Sequence, residues 1–218
     1  MYNLNMPIPD YVTFLRLFIP LFIFRWPLWG TLASAIADVS DWNLIHFSKA
    51  SDYILYQNWD KAMDLYYLTF ALIVTYRWKD KIAQKLAIIL FVWRLIGVVV
   101  FWKTQNPIFL FIFPNVFESY FIFYLLFVAI TKRHKLLTSW KTAIILTITL
   151  VIPKLINEYF LHVIQKQIWQ VFNFGQALGF SGWYESLVNF YAQILILFVI
   201  PFISGLVLIN WHQKRNLR

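Results

Sequence analysis

Lys85-Leu86-Ala87-Ile88-Ile89-Leu90-Phe91-Val92-Trp93-Arg94-Leu95-Ile96-Gly97-Val98-Val99-Val100-Phe101-Trp102 carries one charge, Arg94, between its ends. A bilayer-spanning helix needs about 20 mostly apolar residues, and this run supplies nearly that. Similar runs recur along the chain, separated by charged or Pro/Gly punctuation. They give seven candidate spans, at 11–28, 29–47, 60–78, 85–102, 107–131, 140–164 and 185–211. The expected fold is an all-α, polytopic integral membrane bundle of about seven helices, six to eight by length, forming one transmembrane domain over 1–218.

Composition agrees. Residues are 61% hydrophobic and 13% charged, with a mean hydropathy of +0.63, where a soluble domain carries about 25% charged residues. A water-soluble globule is excluded. The formal charge of +9 needs no nucleic-acid partner, because the positive-inside rule accounts for it. Cysteine is absent, so disulfides and thiolate metal sites are excluded. The N-terminus has no basic stretch and no small-residue cleavage site, so no removable signal is expected.

Lys and Arg set the orientation. Arg77, Lys79, Lys81 and Lys85 follow span three; Lys132, Arg133, Lys135 and Lys141 follow span five. Lys214, Arg215 and Arg218 form the tail, and Arg25 falls on the same side. Lys49, Lys61, Lys103 and Lys166 fall on the other. The rule places the C-terminus in the cytoplasm and the N-terminus outside. The expected location is a prokaryotic cell membrane, with membrane lipid as the surrounding partner. The segment 165–184 is polar and aromatic, and Ile168, Val171 and Phe172 are expected to share one face of a short interfacial helix.

Against this background the acids stand out. Asp38, Asp41, Asp60, Asp64, Glu118 and Glu158, with Arg16, Arg94 and Lys154, fall inside or at the edges of spans. An Asp at membrane depth costs roughly 2.5–3.5 kcal/mol, so such residues default to a functional role. Asp38 and Asp41 are spaced i,i+3, and Asp60 and Asp64 i,i+4, so each pair shares a helix face. Spans two and three form a hairpin across which the pairs can converge. Six acids facing three bases call for protonation or a cation, and divalent ions held by Asp38, Asp41, Asp60 and Asp64 are one ordinary answer. The competing reading is that Arg16 and Arg94 neutralise the aspartates and lock helix packing. Glu118 and Glu158 each follow a Pro and an Asn, a layout suited to recovering backbone groups that a proline frees. His46 and His162 read as interfacial hydrogen-bonders. Ser204-Gly205 and Pro201 read as packing positions.

Read together, Pro9-Asp10-Tyr11-Val12-Thr13-Phe14-Leu15-Arg16, Asp38-Val39-Ser40-Asp41 and Asp60-Lys61-Ala62-Met63-Asp64 resemble the CDP-alcohol phosphatidyltransferase family. Its signature is D-x-x-D-G-x-x-A-R-x8-G-x-x-x-D-x-x-x-D, preceded by P-N-x-x-T-x-x-R. The resemblance covers residues 9–64. It implies a divalent cation (Mg2+ or Mn2+) held by Asp38, Asp41, Asp60 and Asp64. It also implies Asp64 as catalytic base on an acceptor hydroxyl, Arg16 as a phosphate contact, and a lipid or phospho-linked substrate. Arg94 is similar to a basic residue of a later family helix. The chain departs from the signature at Trp42, Ile45, His46 and Tyr56, where the family has Gly, Ala, Arg and Gly. The charge rule sets the acids at the outer face, whereas CDP-linked substrates are cytosolic. An ion- or proton-coupled transporter and a non-catalytic scaffold that retains the charge network are the alternatives.

Overall fold

The computed structural model describes residues 8–44, 50–164, 166 and 168–215, and these are helical with no strand. The elements are α1 (Asp10–Phe18), a 3-10 segment (Ile19–Phe24), α2 (Pro27–Leu44), α3 (Ala50–Thr75), α4 (Lys81–Thr104), α5 (Ile108–Ile112) and α6 (Val116–Thr131). They continue with α7 (Trp140–Tyr159) and its π-helical end (Phe160–Ile164), then α8 (Ile168–Val171) and α9 (Phe174–Ala177). Last come α10 (Gly182–Ile194), a π-helical turn (Leu195–Val199) and α11 (Ile200–Arg215). Among the described residues, three segments are long and apolar enough to cross a membrane: Lys81–Thr104, Ile108–Thr131 and Trp140–Ile164. Ile200–Ile209 is a shorter apolar helix.

Several boundaries differ from the expected ones, each for a physical reason. The first span is broken: Pro20 has no N–H to continue α1, and the chain tightens into the 3-10 segment. The third helix begins at Ala50, ten residues before the apolar run does. Its polar first half stays helical because the buried positions Gln57, Asp60, Lys61, Asp64, Tyr67, Leu68 and Ala71 keep a three-to-four-residue stripe. The fifth span breaks at Phe113-Pro114, which separates α5 from α6. In the 165–184 segment, Ile168–Val171 forms a four-residue helix in which Ile168 is buried while Val171 and the following Phe172 are exposed.

The chain divides into two compact units. One comprises Met1–Phe91 and Phe121–Leu136, the other Val92–Tyr120 and Leu137–Arg218. In the first, α2 lies directly on the 3-10 segment. A Cβ on Gly30 would stand 2.5 Å from the Ile23 nitrogen, so only glycine permits this approach. Ser34, buried one turn on, returns its hydroxyl to the Gly30 carbonyl at 2.8 Å. Gly30, Ser34 and Asp38 follow one another at i,i+4, so the small-residue face that packs α2 ends in a carboxylate. Tyr66 of α3 donates to the Leu17 carbonyl at 3.2 Å and ties α3 to α1.

The same unit joins two basic loops through an acid. Asp80 is buried; its Oδ1 accepts from Ala83 N at 3.0 Å and its Oδ2 from Leu136 N at 2.8 Å. Trp78 stacks on Tyr124, and the Tyr124 hydroxyl donates to the His134 carbonyl at 2.9 Å. Arg77, Lys79, Lys81, Lys132, Arg133 and Lys135 remain exposed around this tie. In the second unit α7 packs along α11, and α5 against the end of α7. Gly97 lies so close to Phe113 that a Cβ there would stand 2.2 Å from the phenylalanine Cβ.

Candidate functional site

The first unit gathers one arginine and three aspartates. Arg16 is 3% exposed on α1, the helix whose inward positions are Ile8 (just before it), Val12 and Arg16. Ile8 and Val12 pack with Tyr56 and Trp59 of α3, which fixes the guanidinium over the polar half of that helix. Its Nη1 donates to Asp38 Oδ1, and its Nη2 to Asp64 Oδ1 at 3.1 Å and Asp60 Oδ1 at 3.5 Å. The guanidinium carbon lies 5.7 Å from the centre of the Trp59 ring. One carboxylate oxygen from each aspartate falls within 4.8 Å of the others. Asp60 and Asp64 are buried, while the Asp38 side chain keeps 28% of its surface exposed. The expected convergence of the two acid pairs across the α2–α3 hairpin is therefore seen for Asp38, Asp60 and Asp64. The side chain of Asp41, and all of His46, lie outside the described residues.

Lys61 has a place that charge counting does not show. The charge count takes it as a cation of the outer face, yet it is 8% exposed and faces two aspartates. Its Nζ donates to Asp60 Oδ2 at 2.5 Å and Asp64 Oδ2 at 3.1 Å. The signal was present in the spacing, since Lys61 and Asp64 are i,i+3 on one helix. Gln57, one turn before Asp60 on the same face, is buried at 8% exposure, and its Oε1 has no hydrogen-bond partner. A buried, unsatisfied amide carbonyl costs about 1–3 kcal/mol and calls for an explanation at a polar site.

Arg94 belongs to the second unit and serves a cluster there. It is 1% exposed, and its Nη1 donates to the Phe113 carbonyl at 3.0 Å, a group freed by the break at Pro114. Asn115 then starts α6: its side chain accepts from Glu118 N at 3.4 Å and donates to Glu118 Oε2 at 2.9 Å. Asn115 N donates to Glu158 Oε1 at 3.5 Å. Lys154 bridges the two acids, 3.5 Å from Glu118 and 3.7 Å from Glu158. His162 Nε2 lies 2.8 Å from Glu158 Oε2, and the charge of Arg94 also acts on Glu158. For Pro114 the structure bears out the Pro–Asn–Glu layout as a repair of freed backbone. Pro153 differs, because α7 runs through it and Glu158 serves another helix. His162 is buried at 5% exposure and bonds Glu158.

Both clusters have the chemistry of buried ion networks, and only the first offers three carboxylates converging on one point. Oxygen donors of this kind suit a hard divalent cation such as Mg2+ or Mn2+. Gln57, with its unsatisfied carbonyl, lies one turn before Asp60 on the same helix. Searches against protein-family models, curated proteins and solved structures find no match to the chain. The resemblance to the CDP-alcohol phosphatidyltransferases thus rests on residues 9–64 themselves.

Proposed function

We propose that this chain is a membrane-embedded enzyme, divergently related to the CDP-alcohol phosphatidyltransferases, that uses a divalent cation held by its aspartates to transfer a phospho-linked group. One observation carries the reading: Asp38, Asp60 and Asp64, from two helices, bring carboxylate oxygens within 4.8 Å of one another at buried or half-buried positions. The resemblance adds Asp41, one turn from Asp38 on α2, to the ligand set. When bound, the cation supplies electrostatic stabilisation to charge developing on a phosphoryl group. Arg16 holds the aspartates in register and offers its guanidinium to phosphate oxygens, a pairing its planar fork suits. Asp64 accepts the proton of an attacking hydroxyl, as the resemblance implies. Trp42 and Tyr56, bulky where the family has glycine, favour a substrate other than a closely seated nucleotide.

The test is metal binding by the purified protein. Mn2+ should bind to the native chain and be lost in Asp60→Asn and in Asp38→Asn with the helical content unchanged. Unchanged binding in both variants would sink the reading. The packing alternative is favoured by a specific observation, since Arg16 and Lys61 already engage all three carboxylates. It expects no Mn2+ binding and a fold that survives matched neutralisation of Arg16 and Asp38. Sidedness is tested separately, because the chain lacks cysteine. Cysteines placed at Ser51 and Ser139 are expected to be labelled by an impermeant maleimide from outside and inside, respectively. The reverse pattern would invert the topology and put the aspartates on the cytosolic side.

A further inference from the structure

We infer that the two basic loops of the first unit, clasped together through Asp80 and Tyr124, form a binding surface for the phosphate headgroups of anionic phospholipid. The inference is independent of the metal-site reading and rests on the helices that can cross a membrane.

Both loops send their cations outward and their ties inward. At Arg77-Trp78-Lys79-Asp80-Lys81, Trp78 and Asp80 are buried and the three cations exposed. At Lys132-Arg133-His134-Lys135-Leu136, Leu136 is buried and the cations before it are exposed. The buried residues join the loops. Asp80 Oδ2 accepts from Leu136 N at 2.8 Å, while its Oδ1 accepts from Ala83 N at 3.0 Å and caps α4. Trp78 stacks on Tyr124 with ring centres 3.7 Å apart, and the Tyr124 hydroxyl donates to the His134 carbonyl at 2.9 Å. Lys79 and Lys81 flank one end of the Asp80–Leu136 hydrogen bond, and Lys135 flanks the other. One bond therefore brings three lysines of two loops together.

Charge and position then name the partner. Asp80, the one acid of the two loops, is 4% exposed, with both carboxylate oxygens turned to backbone N–H groups. Among the described residues, none of Arg77, Lys79, Lys81, Lys132, Arg133 and Lys135 forms an ion pair. Lys81 Nζ donates to a neutral group, Gln84 Oε1, at 3.3 Å. Exposed cations on a fixed frame suit phosphate oxygens, with which they form charge-assisted hydrogen bonds. Two segments long and apolar enough to cross a membrane end at this patch. Lys81–Thr104 begins with one of its lysines, and Ile108–Thr131 stops one residue before Lys132. The cations thus fall at headgroup depth, where Lys and Arg gain attraction from anionic lipid. Tyr76 and Ile130, one and two residues from a cation, are 61% and 62% exposed and offer apolar surface beside the headgroup.

The experiment is native mass spectrometry of the detergent-purified full-length protein, titrated with phosphatidylglycerol and, separately, with phosphatidylcholine of the same acyl chains. Phosphatidylglycerol is expected to be retained at concentrations where phosphatidylcholine is not, and added salt to strip it. Lys79→Gln combined with Lys135→Gln should weaken retention about 25-fold, roughly fivefold for each cation. Lys103→Gln, an equal loss of charge at the far end of α4, should leave retention unchanged. Asp80→Asn removes a negative charge from the patch, yet should weaken retention about threefold, because the loops lose a tie that sets them in advance. Tyr124→Phe keeps the ring and the charge, spares the cap of α4, and should act in the same direction. Equal retention of the two lipids would overturn the headgroup surface. So would an effect of Lys103→Gln equal to that of Lys79→Gln alone, or retention of an RNA oligonucleotide in preference to phosphatidylglycerol. Unaltered or tighter retention in both Asp80→Asn and Tyr124→Phe, with helicity kept, would overturn the clasp and leave a diffuse field of charge.

Discussion

In the first unit three aspartates share Arg16 and Lys61; in the second, two glutamates share Arg94 and Lys154, with His162 held against one of them. The side-chain types are nearly the same, but what they hold differs. The glutamate cluster balances its acids with its bases and spends the remaining donors on backbone: Phe113 O, Asn115 N and Glu118 N all find partners there. It repairs the helix break at Pro114. The aspartate cluster instead gathers carboxylate oxygens of three residues within 4.8 Å of one another. One network ties down backbone, whereas the other converges its carboxylates on one point.

Neutralising one acid in each cluster breaks this comparison most directly. Glu158→Gln leaves two buried cations facing Glu118 alone and should cost about 3–5 kcal/mol, the range for breaking a buried pair from one side. Asp64→Asn leaves Asp38 and Asp60 facing Arg16 and Lys61 and should cost only about 1–3 kcal/mol, the loss of its hydrogen bonds. Thermal loss of helicity, followed by circular dichroism at fixed detergent, should rank Glu158→Gln well below Asp64→Asn. The opposite ranking would assign the structural role to the aspartates. A smaller effect sharpens the distinction through packing. Gly30→Ala and Gly97→Ala each force a methyl into occupied space, against the Ile23 backbone and Phe113, respectively. Each should destabilise by about 1–3 kcal/mol. Only Gly30→Ala should also weaken Mn2+ binding, because it lifts α2 and with it Asp38. Equal Mn2+ affinity in the two variants would show that α2 packing does not set the site. The smallest effect is expected at Trp59, whose ring faces Arg16: Trp59→Leu should cost about 1 kcal/mol of cation–π attraction, read by the same melting experiment.

The acids announced themselves in the sequence. Asp38, Asp60 and Asp64 are anomalous in an apolar chain, and helical spacing was enough to put Asp60 and Asp64 on one face. Their arginine was visible too, but not the choice between Arg16 and Arg94. Partner choice depends on tertiary placement, and either guanidinium would satisfy a count of charges. Lys61 was illegible for a related reason. The charge count treats it only as a cation of the outer face, whereas α3 carries it against Asp60 and Asp64. The break at Phe113-Pro114 could be anticipated from the proline; that Arg94 and Glu158 would take up the freed groups could not.

The Asp80–Leu136 hydrogen bond bears on how the protein is made. Its acceptor lies in the first stretch of its unit and its donor in the last, and residues 92–120, which belong to the other unit, come between them in the chain. Synthesis delivers the acceptor early and the donor late, so the first unit stays unfinished in the membrane while the start of the second is being added. A nascent chain halted before residue 136 holds Asp80 without its Leu136 partner.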